Sequence, residues 1–112
     1  MMSMHNQRQP DVEAEITFLS AESCGKLNAV KSGYRPTHQV LENYLTSGHH
    51  EYVGKNEVWP GETALTQIWF ITPEAYPGSL WIGRKVRVQE GSRLVGYAKI
   101  IKIFNKLLER SA

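Results

Sequence analysis

Hydrophobic and polar residues alternate with a period of two along several short segments of the chain. In the segment 12–18, apolar residues at the even positions alternate with Glu13, Glu15 and Thr17. This alternation predicts a β-strand with one buried face. The segment 63–72 is rich in Thr, Ile, Trp and Phe, which suit a pleated surface, and it predicts a second strong strand.

Glycine and proline divide the middle of the chain into shorter segments. Gly33-Tyr34-Arg35-Pro36 predicts a turn that enters a strand over about residues 37–46. Gly48-His49-His50 predicts a further turn before a short strand at 51–53. Trp59-Pro60-Gly61-Glu62 is expected to form a tight turn, because proline fixes φ and glycine tolerates positive φ.

The segments 80–89 and 94–104 are predicted to form a hairpin around the loop Glu90-Gly91-Ser92. In the expected register Gln89 faces Arg93 and Val88 faces Leu94. The inner face of this hairpin then carries Val86, Val88, Leu94, Ala98 and Ile100. The outer face carries Lys85, Arg87, Val95, Tyr97 and Lys99.

Five to seven short strands with Gly/Pro turns, and no long helical period, predict an all-β sandwich or a closed barrel. A closed barrel is favoured at this length because closure removes exposed strand edges. We expect a disordered leader over residues 1–10, a β-barrel domain over 11–104 and a short tail over 105–112. The tail is expected to add a helical turn that packs Leu107 and Leu108 back on the barrel.

The composition is that of one small globular domain. The chain has 112 residues, of which 41% are hydrophobic, so a mostly disordered polypeptide is excluded. No segment approaches the roughly 20 apolar residues of a membrane helix, and residues 1–10 lack the apolar core of a signal peptide. Cys24 is the single cysteine, so no internal disulfide forms and we expect a reducing, cytoplasmic location.

The net charge of +2 hides an uneven distribution of charge along the chain. The segment 84–110 carries eight basic residues against Glu90 and Glu109, whereas the rest of the chain is acidic. A basic end on a small domain is typical of proteins that bind a phosphate backbone. The same pattern also arises where outward lysines and arginines of an exposed hairpin prevent edge pairing, so both interpretations stay open.

Four segments covering about residues 11–104 occur in an order that matches one family. They are VEAEITFLS at 12–20, GYRP at 33–36, WPGE at 59–62 and EGSRLVG at 90–96. Together they resemble the C-terminal, third domain of translation elongation factor Tu and its relatives. The resemblance implies a six-stranded antiparallel closed β-barrel of Greek-key type.

In that family the barrel contacts the T-stem backbone of aminoacyl-tRNA, the GTPase domain and the exchange factor. The resemblance therefore implies a non-catalytic binding module linked to translation, whose partner is RNA, the tRNA backbone or a translation-factor protein. The expected binding residues lie at and near two turns: Tyr34, Arg35, Thr37, Lys85, Arg87, Glu90, Gly91 and Arg93. The alternatives are a protein-interaction domain that mimics the factor's barrel and competes for its partners, and a small enzyme on the same barrel.

The catalytic motifs of common enzymes are missing from the sequence. There is no phosphate-binding G-x-x-x-x-G-K-[ST] loop, Asp11 is the single aspartate and no G-x-S-x-G elbow occurs. The spacing of Cys24 from the histidines does not indicate a nucleophile–base pair. His49 and His50 are adjacent, and with His38 they are not expected to share a metal ion, because neighbours on a strand point to opposite faces. We predict no enzymatic activity, cofactor, metal or small-molecule substrate.

Three tryptophans are candidates for stacking against nucleic-acid bases. Trp69 lies inside the strong strand 63–72 and is expected to pack in the core or in the barrel wall. Trp59, beside a turn, is the best exposed candidate, and Trp81 is the third.

Overall fold

The computed structural model describes residues 8–24, 26 and 28–110. Most of these residues form short strands, whose side chains alternate between buried and exposed positions. The eight strands are β1 (Val12–Phe18), β2 (Val30–Lys31), β3 (Thr37–Leu41), β4 (Tyr44–Tyr52), β5 (Glu57–Val58), β6 (Thr63–Phe70), β7 (Lys85–Glu90) and β8 (Arg93–Ile103). Among the described residues, the helical elements are one turn, α1 (Ala21–Cys24), and two 3-10 turns, Pro73–Ala75 and Lys106–Leu108.

Six of the strands close into an antiparallel barrel in the order β1-β6-β4-β3-β7-β8, with β8 returning to β1. Strands β3, β4 and β6 pair in succession, and β7 then returns beside β3, which is a Greek-key arrangement. Strands β2 and β5 form a separate two-stranded sheet. The predicted all-β, six-stranded closed barrel is confirmed.

The barrel interior is filled by alternate side chains of the barrel strands. On β1 the even-numbered residues Val12 to Phe18 are buried, as the sequence pattern predicts. At the β1–β8 seam, a Cβ atom on Gly96 would lie 2.7 Å from the backbone oxygen of Thr17. Only glycine allows the two backbones to approach this closely.

The middle of the chain differs from the sequence prediction at two points. The predicted strand 37–46 is interrupted by a turn at Glu42 and Asn43, so that it belongs partly to β3 and partly to β4. The turn predicted at Gly48-His49-His50 is wrong, because these residues lie inside β4. Gly48 is needed there for space and not for a turn, since a Cβ atom would lie 2.7 Å from Cε1 of His38.

The β7–β8 hairpin forms around the predicted loop but in a different register. Its first strand begins at Lys85 and not at residue 80, because residues 82–83 form a turn. Glu90 pairs with Arg93 and Gln89 with Leu94, so the connecting loop has two residues and not three. A β-bulge between Val88 and Gln89 then shifts the pairing again. As a result Val95 is buried and Leu94 is half-buried, which reverses the predicted orientation of this pair.

Asp11 connects both ends of the described chain to the barrel. Its carboxylate accepts hydrogen bonds from the Phe70 backbone N–H at 2.7 Å and from the Asn105 side chain at 2.9 Å, and its partner in a salt bridge is Arg8. In the tail, Leu108 is fully buried as expected, whereas Leu107 is 48% exposed, contrary to the prediction. Residues 1–7 of the expected leader, and 111–112 of the tail, lie outside the described residues.

Candidate functional site

The two turns that carry the predicted binding residues meet at one corner of the barrel. The Tyr34 hydroxyl donates a hydrogen bond of 2.5 Å to Oε2 of Glu90. The neighbouring strands are also joined, because the Thr37 hydroxyl donates to the backbone oxygen of Gln89 at 3.1 Å. The pairing of β3 with β7 at Thr37 and Gln89 therefore brings together residues that are about half the chain apart in sequence.

Glu90 is the centre of this corner and carries a strongly stabilised negative charge. It lies 2.9 Å from Nζ of Lys26 and 2.7 Å from Nη2 of Arg93. Burial alone would raise the pKa of the Glu90 carboxyl, but hydrogen bonds from Tyr34, Lys26 and Arg93 outweigh it and lower the pKa to about 2. Burial, together with the bond to Glu90, raises the pKa of the Tyr34 hydroxyl, which keeps it a donor at neutral pH.

The predicted residues Lys85 and Arg87 lie apart from this corner, on the outer face of β7. Lys85 pairs directly opposite Lys99 of β8, and Arg87 pairs opposite Tyr97. Like charges directly opposite each other destabilise a strand pair. On its other side Lys99 pairs with Glu15 of β1. Within the part of the chain that the structure describes, no ion pair engages Lys85 or Arg87.

The remaining predicted residues lie at or beside the corner around Glu90. Gly91 forms the hairpin turn next to Glu90 with a φ of +61°, a conformation that favours glycine. Arg93 is held by Glu90, so its charge is partly neutralised within the protein. Arg35 follows Tyr34 in the chain and its side chain is exposed. The structure thus contains two separate groups of predicted residues. One group surrounds the Glu90 carboxylate at a corner of the barrel, and the other is the basic outer face of β7 and β8.

A third group of residues lies at the end of this basic face, where sequence reasoning named Trp81 as a candidate but missed its contact with Arg84 and Arg110. The guanidinium groups of Arg84 and Arg110 each lie 5.0 Å from the centre of the Trp81 ring. Arg84 also donates to the backbone oxygen of Ser79 at 2.5 Å, and the Arg110 backbone N–H donates to Leu80 at 2.8 Å. The many basic residues in the segment 84–110 were the signal that the sequence offered. A sequence pattern does not show, however, that Arg110 of the tail contacts Trp81.

Two of the other candidate tryptophans are placed as predicted. Trp69 is only 8% exposed and its ring nitrogen donates to the backbone oxygen of Arg8 at 2.9 Å. Trp59 is 49% exposed beside the Pro60-Gly61 turn. Trp59 is therefore accessible, but it lies outside the β7–β8 hairpin that carries Lys85 and Arg87.

His49 and His50, which were expected in a turn, instead lie on strand β4 of the barrel wall. His38 and His50 are buried inside the barrel with their Nε2 atoms 2.8 Å apart, whereas His49 lies beside Trp69 and Glu51. Alternation along β4 separates the two adjacent rings, as expected for neighbours on a strand. Among the described residues, no group of three or more His, Cys, Asp or Glu side chains is placed to hold a metal ion.

The hydrogen bonds around the buried pair assign one tautomer to each ring. His38 Nδ1 lies 3.1 Å from the backbone oxygen of Thr46, which only accepts, so this nitrogen carries the proton. His38 Nε2 then accepts from Nε2–H of His50, and Nδ1 of His50 accepts from the Tyr52 hydroxyl at 3.0 Å. Both rings are therefore neutral, and burial lowers the pKa of His38 to about 4 and that of His50 well below its usual value. This fully bonded chain is a structural element of the core.

No protein-family model matches the chain. In the described part of the chain, no helix has the length and apolar character that crossing a membrane would require.

Proposed function

We propose that this protein is a non-catalytic binding module whose outer β7–β8 face binds RNA through the phosphate backbone. The observation that carries the proposal is the placement of Lys85 opposite Lys99, with Arg87 one pair further along the same outer face. Such a row of basic side chains costs stability in the free protein, and a bound polyanion would remove this cost. The ordered segments that resemble the elongation factor Tu barrel support a link to translation.

The corner around Glu90 has a different role in this proposal. Lys26, Tyr34 and Arg93 all contact the Glu90 carboxylate. These side chains are engaged within the protein, so we assign them to positioning the hairpin and not to contacting phosphate. Arg35 remains available at the edge of this corner because its side chain is exposed.

The test is a salt titration of RNA binding with matched variants. The probe is a labelled RNA that contains both a stem and a single-stranded tail, and its affinity is measured by fluorescence anisotropy from low to moderate salt. Affinity should fall steeply with salt, and Lys85→Ala and Arg87→Ala should each reduce the salt slope by about 0.7 to 0.9. Lys31→Ala is the control, since Lys31 is an equally exposed strand lysine on β2.

The result that would refute the proposal is the absence of any salt-sensitive binding. Equal losses of affinity in Lys31→Ala and Arg87→Ala would also contradict it, because the binding would then depend on net charge and not on this face.

A second candidate function is a protein-interaction domain that competes for partners of the translation factor. The observation that favours it is the exposure of large apolar side chains at the β3–β4 turn: Leu41, Tyr44 and Leu45. Leu45→Ser should then abolish binding to a purified protein partner of the factor, such as its exchange factor, while leaving RNA affinity unchanged. Equal binding of that partner by Leu45→Ser and by the unmodified protein would exclude this surface.

A further inference from the structure

The outer β7–β8 face contains an exposed aromatic ring within its row of basic side chains. Tyr97 is 36% exposed and pairs directly opposite Arg87. Lys99 lies two residues further along β8, on the same outer face, opposite Lys85. A strand pair of this composition offers both phosphate-binding cations and a ring on which a base can stack.

The same combination is repeated where the strand pair ends. Gly83 donates to Ile100 at 2.7 Å and Ile100 donates to Arg84 at 2.8 Å, so the pairing with β8 continues beyond β7 up to the Trp81 turn. There the guanidinium groups of Arg84 and Arg110 lie against the Trp81 ring. Guanidinium planes also stack on nucleic-acid bases. At the end of β8, Lys102 Nζ lies 4.8 Å from the centre of the Phe104 ring. Aromatic rings and cations therefore lie close together on this face, at the Trp81 turn and at the end of β8.

The form of RNA that suits this face follows from stacking and from shape. In a duplex the bases are already stacked on each other, so the ring of Tyr97 has no base face to contact. The outer wall of a closed barrel is also convex, and a stiff duplex touches a convex surface over a short length. A flexible single strand can follow the curved β7–β8 face and place its bases against the exposed rings.

We propose that the β7–β8 face binds single-stranded RNA in preference to double-stranded RNA, with phosphates at Lys85, Arg87 and Lys99 and a base stacked on Tyr97. This inference rests on the proposed function and specifies its ligand.

The test compares an unstructured oligouridylate with a blunt RNA duplex of the same length at the same salt concentration. The single strand should bind at least about tenfold more tightly. Tyr97→Leu should lower the affinity for the single strand by about tenfold, because stacking on one aromatic ring is lost, and should leave duplex affinity nearly unchanged. Tyr97→Phe keeps the ring and should retain the affinity of the unmodified protein.

The matched control is Tyr44→Leu, because Tyr44 is equally exposed, at 37%, but lies on the β3–β4 hairpin. It should not change either affinity. Equal or tighter binding of the duplex would overturn the inference and leave the proposed function standing. Loss of single-strand affinity in Tyr44→Leu but not in Tyr97→Leu would also overturn it, and no binding of either RNA would refute both proposals.

Discussion

The buried His38–His50 pair predicts that the protein loses stability on mild acidification. Both rings are neutral in the folded protein, because each ring nitrogen is occupied by a hydrogen bond in a dry interior. The unfolded chain, in contrast, binds a proton at each of these histidines near the ordinary pKa of 6.5. Since the unfolded state binds more protons between pH 6.5 and the lowered folded pKa, acidification through this window favours unfolding.

The size of this loss of stability follows from the lowered pKa of His38. Its folded pKa is about 4, and its side chain is almost completely buried, so solvent screening does not reduce the effect. Lowering the pH from 7 to about 5 should therefore reduce the free energy of unfolding by roughly 2 kcal/mol from this residue alone. His50 acts in the same direction. Glu90 contributes little in this window, because its pKa is about 2 in the folded protein and 4.5 ordinarily.

The assay is urea unfolding followed by tryptophan fluorescence at several pH values between 7 and 5. In His50→Leu one titrating ring is removed, so the change of stability with pH should be smaller. The same variant should lose about 2 kcal/mol or more at pH 7, because His38 Nε2 and the Tyr52 hydroxyl lose their partner. Lys31→Ala should reproduce the pH dependence of the unmodified protein. A free energy of unfolding that changes by less than about 0.5 kcal/mol between pH 7 and 5 would refute the reasoning.

Three further substitutions test the contacts that hold the barrel. Gly96→Ala should cost more than about 2 kcal/mol, because the new Cβ meets the Thr17 backbone oxygen, and a thermal melt unchanged from the unmodified protein would contradict this. Asp11→Ala should cost about 3 kcal/mol in urea unfolding, since the buried Phe70 N–H loses its acceptor and the tail loses its attachment. Glu90→Gln should cost about 1 to 2 kcal/mol at pH 7, allowing for partial exposure of the carboxylate. Because the folded pKa of Glu90 is lowered, this deficit should disappear as the pH falls from 4.5 through about 2, and a deficit independent of pH would exclude the ionic role.

Much of the barrel is predictable from local pattern, because one face of each strand is buried. The alternation over 12–18 identifies β1, and the Thr- and aromatic-rich segment 63–72 identifies β6. The hairpin loop at Glu90-Gly91-Ser92 was located to within one residue. In these segments the local sequence preference and the tertiary structure agree.

The prediction failed where a contact between distant segments decides the local structure. Gly48 reads as a turn residue, but its role is to leave room for the His38 ring from the neighbouring strand. The turn at Glu42-Asn43 has neither glycine nor proline to mark it. The register of the hairpin depends on a β-bulge, which a period-two pattern does not encode. For this reason the prediction placed Leu94 inside and Val95 outside, whereas in the structure Val95 is buried and Leu94 is half-buried.

The sequence indicated part of the candidate site but not its division into two separate groups of residues. The basic segment 84–110 and the two turns indicated Lys85, Arg87, Tyr34 and Glu90. The hydrogen bond between Tyr34 and Glu90 depends on the pairing of β3 with β7, which brings distant segments together. The position of Trp81 between Arg84 and Arg110 depends in the same way on the docking of the tail.

A map of backbone amide shifts by NMR during titration with single-stranded RNA tests directly whether the β7–β8 face binds RNA. The shifts should concentrate on β7 and β8, around Lys85, Arg87, Tyr97 and Lys99, and extend to the Trp81 turn. Amides of the β3–β4 hairpin should keep their positions. Shifts confined to that hairpin, or a spectrum unchanged by RNA, would contradict the assignment of the β7–β8 face as the RNA-binding surface.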